Sequence, residues 1–489
     1  MVPGLAALQC FGLGLAIVST GWTRAASPAE KMLKFFLSAG YGLGAFSILY
    51  LVLRVVGGAS LLSMDVVALA LFLVAWLLTG RLLPAATVSP AADDDSPGWL
   101  RGSITAGFAA GLCAALYSAV RRTIAYPNGE GWDAFAIWNL HARFLFRGGA
   151  GWREGFSGFI PWSHPDYPLL LPAAIAHFWS YVGHETYAVP ATIGLVFTIA
   201  TVGVLFSALL ILRGRNVAML GGLALMATPS FIEQGTSQYA DIPLSFFILA
   251  TVVMLCLSDA SVGASLPPPG WIALAGLAAG FAAWTKNEGL LFFCSLLFSG
   301  FWMLAGGQRV GETGETLARP RSFLLLVVAA LPILLIILWF KRVIAPPGDL
   351  FVYSATTFHQ LSDLARYAAI GKWFGKQFFR FGHWLWVPGS LLVVGIFPAF
   401  RHWGAQNRGD RVAAGQQTGF RVCVAALTIT LCGYFVIYVI TPYAVYWHLR
   451  FSLNRLFLQL WPSAIFLCFL RIGIVGSKLR PSERSQNEV

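Results

Sequence analysis

The sequence predicts an all-α fold, a polytopic bundle of about thirteen membrane-spanning helices, each needing roughly 20 apolar residues to cross a hydrocarbon core. Of the 489 residues, 57% are hydrophobic and only 11% are charged. The mean hydropathy is +0.71. Soluble globular domains are not built with so few charges, and apolar runs of spanning length recur along the whole chain. The membrane is therefore the expected environment of the protein.

The predicted spans are continuous apolar runs, which favours helices because every buried backbone group must be satisfied within its own segment. They cover residues 4–20, 33–53, 61–80, 102–120, 187–212, 217–235, 242–258, 271–285, 288–305, 322–341, 384–400, 421–440 and 456–471. The loops that contain basic residues but no evident site all fall on one side of the membrane in this segmentation. That side should be cytoplasmic. The loops 121–186, 236–241, 342–383 and 441–455 then face outward.

Three parts are expected along this multi-pass protein of the cell membrane. They are N-terminal transmembrane helices in residues 1–100, a transmembrane module with the large loops in residues 101–471, and a cytoplasmic tail in residues 472–489. The net charge of +12 does not indicate nucleic-acid binding, because no soluble basic domain carries it. The seven cysteines lie in apolar runs without metal-ligand spacing, so we predict no metal site; a divalent ion bound by other groups is left open.

The first large outward loop contains a stretch with helical periodicity, residues 131–143. This helix should lie along the membrane interface, with Asp133 at its start. A carboxylate there could act as a general base towards an acceptor hydroxyl. It could equally cap the helix, since Asp is a favoured N-cap residue. Trp132 and Trp138 are candidates for stacking on a sugar or a lipid.

Three prolines interrupt the segment 162–172, which is otherwise apolar enough to enter the bilayer. Residues 164–183 are therefore predicted to form a juxtamembrane or re-entrant helix. His164 and Asp166 are candidates for acid–base or acceptor-site roles, with structural roles beside the prolines as the alternative. Tyr167 is a further stacking candidate.

Two later turns place more charges at the outward surface. Asp241 opens a span, where either helix capping or a place in a site explains it, and Tyr239 just before it is a stacking candidate. Lys286 and Glu288 interrupt an apolar stretch between two short spans. Ionisable groups at membrane depth are functional candidates, although this pair could simply neutralise each other. Lys286 is otherwise well placed to meet a lipid phosphate.

The last two outward loops are unusually basic for that side of a membrane. Residues 341–383 hold six Lys or Arg against two Asp. An anionic ligand would explain the excess, because Arg and Lys pair with phosphate. Attraction to anionic lipid headgroups is the competing explanation. The loop 441–455 adds Trp447, Arg450 and Arg455, with aromatic rings that suit either an interfacial belt or a sugar face.

Four short motifs follow one another in the order found in a known family. They are Asp133 at the start of the first large loop, the His-Pro segment 164–172, the Ala-Asp-x-Pro-Leu turn 240–244 and the Thr-Lys-x-x-Gly turn 285–289. On these motifs the chain, from about residue 102 to residue 471, resembles the C-type (GT-C) polytopic glycosyltransferases. Within them it is similar to the protein O-mannosyltransferase, lipid A aminoarabinose transferase and Rgt-like branch. One departure is Ala134, which stands where much of that family has a second acidic residue.

The resemblance implies an inverting transfer of a sugar from a polyprenyl-phosphate carrier to a glycan, lipid or protein acceptor on the periplasmic or extracellular face. It implies Asp133 as general base, no required cofactor, and basic residues that grip the donor phosphate. Candidates for that grip are Lys286, Arg143, Lys372, Arg380, Arg450 and Arg455. Candidates for a second acidic or acceptor-site role are Asp166, Asp241, His164 and Glu288.

Two other functions fit the composition: a transporter or flippase of lipid-linked saccharides, and a non-catalytic subunit of an envelope complex. A transporter should carry broken helices and ionisable residues near the middle of its spans. Here the ionisable residues cluster in the outward loops. That distribution favours surface chemistry on a lipid-linked substrate.

Overall fold

The computed structural model describes residues 2–23, 25–57, 60–79, 97–260, 268–305, 320–348, 355–383 and 418–471. Within these ranges every regular element is helical, which confirms the predicted all-α class. Ten of the helices described there are long and apolar enough to cross a membrane, and two shorter apolar helices accompany them. The predicted span 384–400 and the predicted tail 472–489 lie outside the described residues.

The helices are numbered here in chain order. They are α1 (Val2–Gly21), α2 (Pro28–Val56), α3 (Leu61–Leu78), α4 (Gly98–Ala125), α5 (Asn139–Arg147), α6 (Leu170–Val182), α7 (Ala188–Arg213), α8 (Arg215–Met226), α9 (Pro229–Thr236), α10 (Asp241–Asp259), α11 (Pro269–Thr285), α12 (Asn287–Ala305), α13 (Pro320–Val343), α14 (Ala355–Ser362), α15 (Leu364–Arg380), α16 (Thr418–Ile440) and α17 (Val445–Arg471). A π-helical turn, Ala134–Trp138, leads directly into α5.

Two predicted spans differ from the structure. The predicted span 217–235 is two helices, α8 and α9, because Pro229 cannot donate a backbone hydrogen bond and instead begins a new helix. The last predicted span, 456–471, begins at Val445, so most of the loop predicted at 441–455 is the first part of α17. Polar residues in these first turns made that stretch look like a loop.

The centre of the bundle is α10, whose spanning segment is buried along its whole length. It packs against α7, α11 and α17. The N-terminal helices join this bundle: α2 packs on both α1 and α7. The α1–α2 contact depends on glycine, since a Cβ on Gly14 would lie 1.9 Å from the Ser38 carbonyl oxygen, and one on Gly42 would lie 2.0 Å from that of Cys10. Small residues let helix backbones approach this closely in membranes.

One end of the bundle gathers the irregular segments, and we call it the Asp133 end. Here the turn before α5, the start of α10, the α11–α12 junction and the first turns of α17 come together through side-chain bonds. The C-terminal end of α2 also contacts this region through two hydrogen bonds. Tyr50 donates to the Leu145 carbonyl at 3.2 Å, and Arg54 donates to the Gly149 carbonyl at 2.8 Å.

Candidate active site

A buried carboxylate, that of Asp241 at the start of α10, is the centre of a charge cluster at the Asp133 end. Its Oδ1 accepts hydrogen bonds from Lys286 Nζ at 3.0 Å and from Gln459 Nε2 at 2.6 Å. Its Oδ2 accepts one from Arg455 Nε at 2.9 Å. Burying a charge is costly unless it is paired and hydrogen-bonded. These three partners meet that requirement from two segments of the chain, the α11–α12 junction and α17.

Arg455 links the buried carboxylate of Asp241 to that of Asp133. Its Nη1 lies 2.6 Å from Oδ2 of Asp133. Asp133 makes no cap hydrogen bond to the helical turn that follows it, so the capping interpretation is wrong for this residue. The Asp133 side chain is 23% exposed, which leaves its carboxylate within reach of a substrate. The guanidinium also lies over the ring of Tyr239, 4.5 Å from the ring centre.

Lys286 occupies the short extended junction between α11 and α12 and is buried. Its ammonium group is 3.0 Å from Asp241 and 2.9 Å from Glu288. Burial alone would lower the pKa of Lys286, but the carboxylates of Asp241 and Glu288 outweigh it and raise this pKa. Glu288 therefore neutralises part of the charge of Lys286, as one sequence interpretation held, while Lys286 still belongs to the cluster.

A second polar group adjoins the first and involves Asp166. Lys341, near the end of α13, donates to the main-chain oxygen of Asp166 and lies 3.3 Å from its Oδ2. Asn287 donates to the same Oδ2 at 2.8 Å and accepts from Lys341 at 2.8 Å. Because Asn287 stands between Lys286 and Glu288 in the chain, the two groups share one short segment.

Aromatic rings form one wall of the cluster. Tyr167 stacks between His164, at 4.9 Å between ring centres, and Trp138, at 5.6 Å. Lys286 lies 5.8 Å from the centre of the Tyr167 ring. Burial raises the pKa of Tyr167, and burial together with Asp133 raises that of Tyr239 to about 12. Both phenols are therefore neutral near pH 7 and can donate a hydrogen bond.

Other predicted site residues are not brought to this cluster. Arg143 forms an ion pair with Glu185 at 3.1 Å. The ring of Trp132 packs beside those of Phe135 and Trp162. Among the described residues, no hydrogen bond or ion pair joins the cluster to the remaining candidates, which are Lys372, Arg380, Trp447 and Arg450. Nor do the described residues include a group of three or more His, Cys, Asp or Glu that could hold a metal ion.

Three members of the two polar groups were not identified as site candidates from sequence. Gln459 lies four residues after Arg455 on α17, so both side chains reach Asp241 from one helix face. An amide inside an apolar span is the signal that could have found it. Asn287 and Lys341 gave only the weaker signal of polar residues at helix ends, and the contact between them spans 54 positions in the chain.

Fold and site together define a polytopic membrane protein with a buried charge cluster at one end of its bundle. Residues 169–345, rather more than a third of the chain, match the family described as dolichyl-phosphate-mannose-protein mannosyltransferase. Over the residues that it covers, the match confirms the resemblance predicted from the motifs. The matched segment contains Asp241, Lys286 and Lys341, whereas Asp133 and Arg455 lie outside it.

One solved structure with similarity to the chain is that of ArnT from Cupriavidus metallidurans bound to undecaprenyl phosphate. The sequence identity is 16% and the TM-score is 0.42. The aligned region covers 76% of this chain and 60% of that one, so the chain spans less than two thirds of the length of that protein. No curated protein sequence matches the chain.

Proposed function

We propose that the chain transfers a sugar from a polyprenyl-phosphate carrier to a hydroxyl group of a glycan, lipid or protein acceptor. The transfer is a single displacement that inverts the anomeric carbon. The observation that carries this proposal is that one guanidinium, that of Arg455, contacts both the buried Asp241 and the partly exposed Asp133. The family match supports it, because the family description names a sugar carried on a lipid phosphate.

The cations of the cluster have hydrogen-bond donors to offer to a phosphate. A guanidinium has five N–H groups and an ammonium has three. Among the described residues Arg455 uses one N–H for each of two carboxylates, and Lys286 uses two of its three protons. The unused donors suit the charge-assisted bonds that phosphate oxygens accept. Asp241, which accepts a hydrogen bond from Gln459, holds these cations in place before a substrate arrives. Such preorganisation stabilises developing charge.

Asp133 is the general base in this mechanism. Its carboxylate takes the proton of the acceptor hydroxyl while the hydroxyl oxygen attacks the anomeric carbon. The bond from that carbon to the phosphate oxygen breaks, and its electron pair leaves with the carrier phosphate. Arg455 and Lys286 stabilise the charge that collects there. Attack opposite to the leaving group inverts the anomeric centre, as in other single-displacement reactions at sugars.

We place this cluster on the outward face of the membrane. The opposite end of the bundle carries arginines at the end of α7, the start of α8, the start of α16 and the end of α17, namely Arg213, Arg215, Arg421 and Arg471. Basic residues accumulate on the cytoplasmic side of membrane proteins. The Asp133 end is then periplasmic or extracellular.

The test uses the full chain in lipid nanodiscs with a panel of polyprenyl-phosphate sugars and membrane extracts as acceptors. We expect the wild-type chain to release polyprenyl phosphate and to label an acceptor. Asp133→Asn should abolish transfer and keep donor binding, because the amide retains the shape but cannot take the proton. Glu154→Gln, an exposed residue outside the cluster, is the matched control and should keep wild-type turnover. Wild-type turnover by Asp133→Asn would remove Asp133 from the mechanism.

A further inference from the structure

A groove at the Asp133 end lies outside the cluster around Asp241. It runs between α15 and the first turns of α17 and has a volume of about 450 Å³. Its lining consists of Trp373, Tyr446, Trp447, Arg450 and Phe451. More than half of the surface of Tyr446, Trp447 and Phe451 is exposed. This open aromatic surface suits an occupant that is itself largely apolar.

The groove is also positively charged. Arg450 lines it directly, and the ammonium group of Lys376 lies 5.4 Å from the centre of the Trp373 ring. Lys372 and Arg380 stand one helical turn before and after Lys376 on the exposed side of α15. The sequence of α15 contains no acidic residue that could offset these charges. The occupant should therefore carry a negative charge next to its apolar part.

We propose that this groove binds the headgroup of an anionic phospholipid, with the phosphodiester on Arg450 and Lys376 and the adjoining apolar atoms on the aromatic rings. A guanidinium binds phosphate oxygens through paired N–H donors. The groove residues of α17 lie in the first two turns of a helix that is long and apolar enough to cross a membrane. Aromatic residues meet lipid headgroups at this depth. Basic pockets between membrane helices are known to select anionic headgroups.

The α15 wall of the groove is held against the bundle by hydrogen bonds, and a bound headgroup would add a further link between α15 and α17. Gln377 of α15 donates to the Asn454 side chain at 2.7 Å, and Arg366 of α15 donates to the carbonyls of Tyr438 and Thr441. These bonds fix the helix that forms one wall of the groove. Asn454 directly precedes Arg455, so the contact that holds α15 lies next to the charge cluster on α17. The headgroup itself contacts no residue to which the transfer mechanism assigns a role.

The test measures lipid binding without any sugar donor, so its outcome does not depend on the proposed transfer. The full chain is released from nanodiscs of phosphatidylcholine with a minor fraction of phosphatidylglycerol, and bound lipids are counted by native mass spectrometry. We expect selective retention of phosphatidylglycerol. The double variant Arg450→Gln, Lys376→Gln should bind it about tenfold more weakly, as expected when a charge-assisted contact is lost. Retention of phosphatidylcholine should not change.

The matched control is Arg153→Gln, because Arg153 is exposed at the same end of the bundle and lies 5.6 Å from the centre of the Trp152 ring. This control should retain phosphatidylglycerol like the wild type. Trp447→Ala keeps both cations and should weaken retention of either lipid, which separates the apolar from the charged contact. Equal phosphatidylglycerol retention by the double variant would overturn the proposal. So would displacement of phosphatidylglycerol by one equivalent of added polyprenyl phosphate, because the groove would then belong to the carrier.

Discussion

Arg455 and Asp133 are separated by 322 positions in the chain, and their side chains meet at 2.6 Å. The same guanidinium contacts Asp241, which lies 214 positions before it. One side chain of the last helix therefore ties the first large loop to the centre of the bundle. Substrate binding and base chemistry, as proposed, both depend on where this guanidinium sits.

Replacing Arg455 by Lys tests that dependence. An ammonium is a point charge and cannot reproduce two directed contacts to separate carboxylates together with spare donors for a phosphate. We expect kcat/KM for a polyprenyl-phosphate sugar to fall by about 10² or more, the usual cost of losing one donor to developing negative charge. Steady-state kinetics on the nanodisc-embedded chain measure it. Arg153→Lys is the control, and wild-type kinetics for Arg455→Lys would contradict the role assigned to the guanidinium.

Lys286 and Asp241 should be coupled in stability as well as in activity. Lys286→Met removes one cation from a buried carboxylate, which typically costs about 3–5 kcal/mol. In the double variant Lys286→Met, Asp241→Asn the uncompensated charge is gone, so we expect part of that loss to be recovered. The measurement is the free energy of unfolding in detergent for both single variants and the double. Strict additivity of the two losses would show that the pair does not interact.

The Lys286 junction depends on a glycine. A Cβ on Gly289 would lie 1.8 Å from the carbonyl oxygen of Ala282, so Gly289→Ala must move the backbone that positions Lys286. We expect a loss of about 1–3 kcal/mol of stability, as for other overpacked sites, and a weaker affinity for the donor. Thermal unfolding and donor titration check the two effects. Gly371→Ala is the control, because nothing lies within 4 Å of its added Cβ; equal behaviour of both variants would contradict this view of the junction.

Much of the cluster was visible in the sequence because it consists of charges where charges are expensive. Asp133, Asp241, Lys286 and Arg455 each interrupt or border an apolar run, and this position together with the family resemblance made them candidates. Which charge meets which could not be predicted, since the contacts join residues 45 to 322 positions apart in the chain. Gln459 was missed for the same reason, because the carboxylate to which it donates, that of Asp241, lies on another helix.

The ends of a span could be predicted where the hydropathy of the sequence changes there. They could not be predicted where the hydropathy stays the same. The break between α8 and α9 falls inside a continuous apolar run, so only Pro229 signalled it. The reverse error occurred in α17, where Arg450, Asn454 and Arg455 suggested a loop. These side chains face a groove, a neighbouring helix and a charge cluster rather than lipid. A span whose polar residues have partners does not look like a span in a hydropathy profile.

A buried histidine beside the cluster predicts how stability responds to acid. His141 in α5 has no exposed surface, and its Nε2 lies 3.4 Å from the Ser163 hydroxyl. Burial, with a further contribution from His164, lowers the pKa of His141 from 6.5 to about 3. Between these values the unfolded chain binds a proton that the folded chain does not, so stability falls as pH decreases. The slope from this one group is about 1.4 kcal/mol per pH unit well below the unfolded pKa.

His141→Gln should remove that contribution, because the amide does not titrate. The free energy of unfolding in detergent, measured as the pH is lowered from neutral through about 5, should then decline less steeply than in the wild type, even if the variant is less stable at neutral pH. Phe156→Leu is the control, because it alters the packing against His141 but keeps the imidazole, and it should keep the wild-type slope. The slope rather than the absolute stability is decisive, since a lost packing contact with Phe156 shifts the whole curve without changing its dependence on pH. Parallel curves for the wild type and His141→Gln would mean that His141 is protonated in the folded protein and that its burial does not exclude the proton.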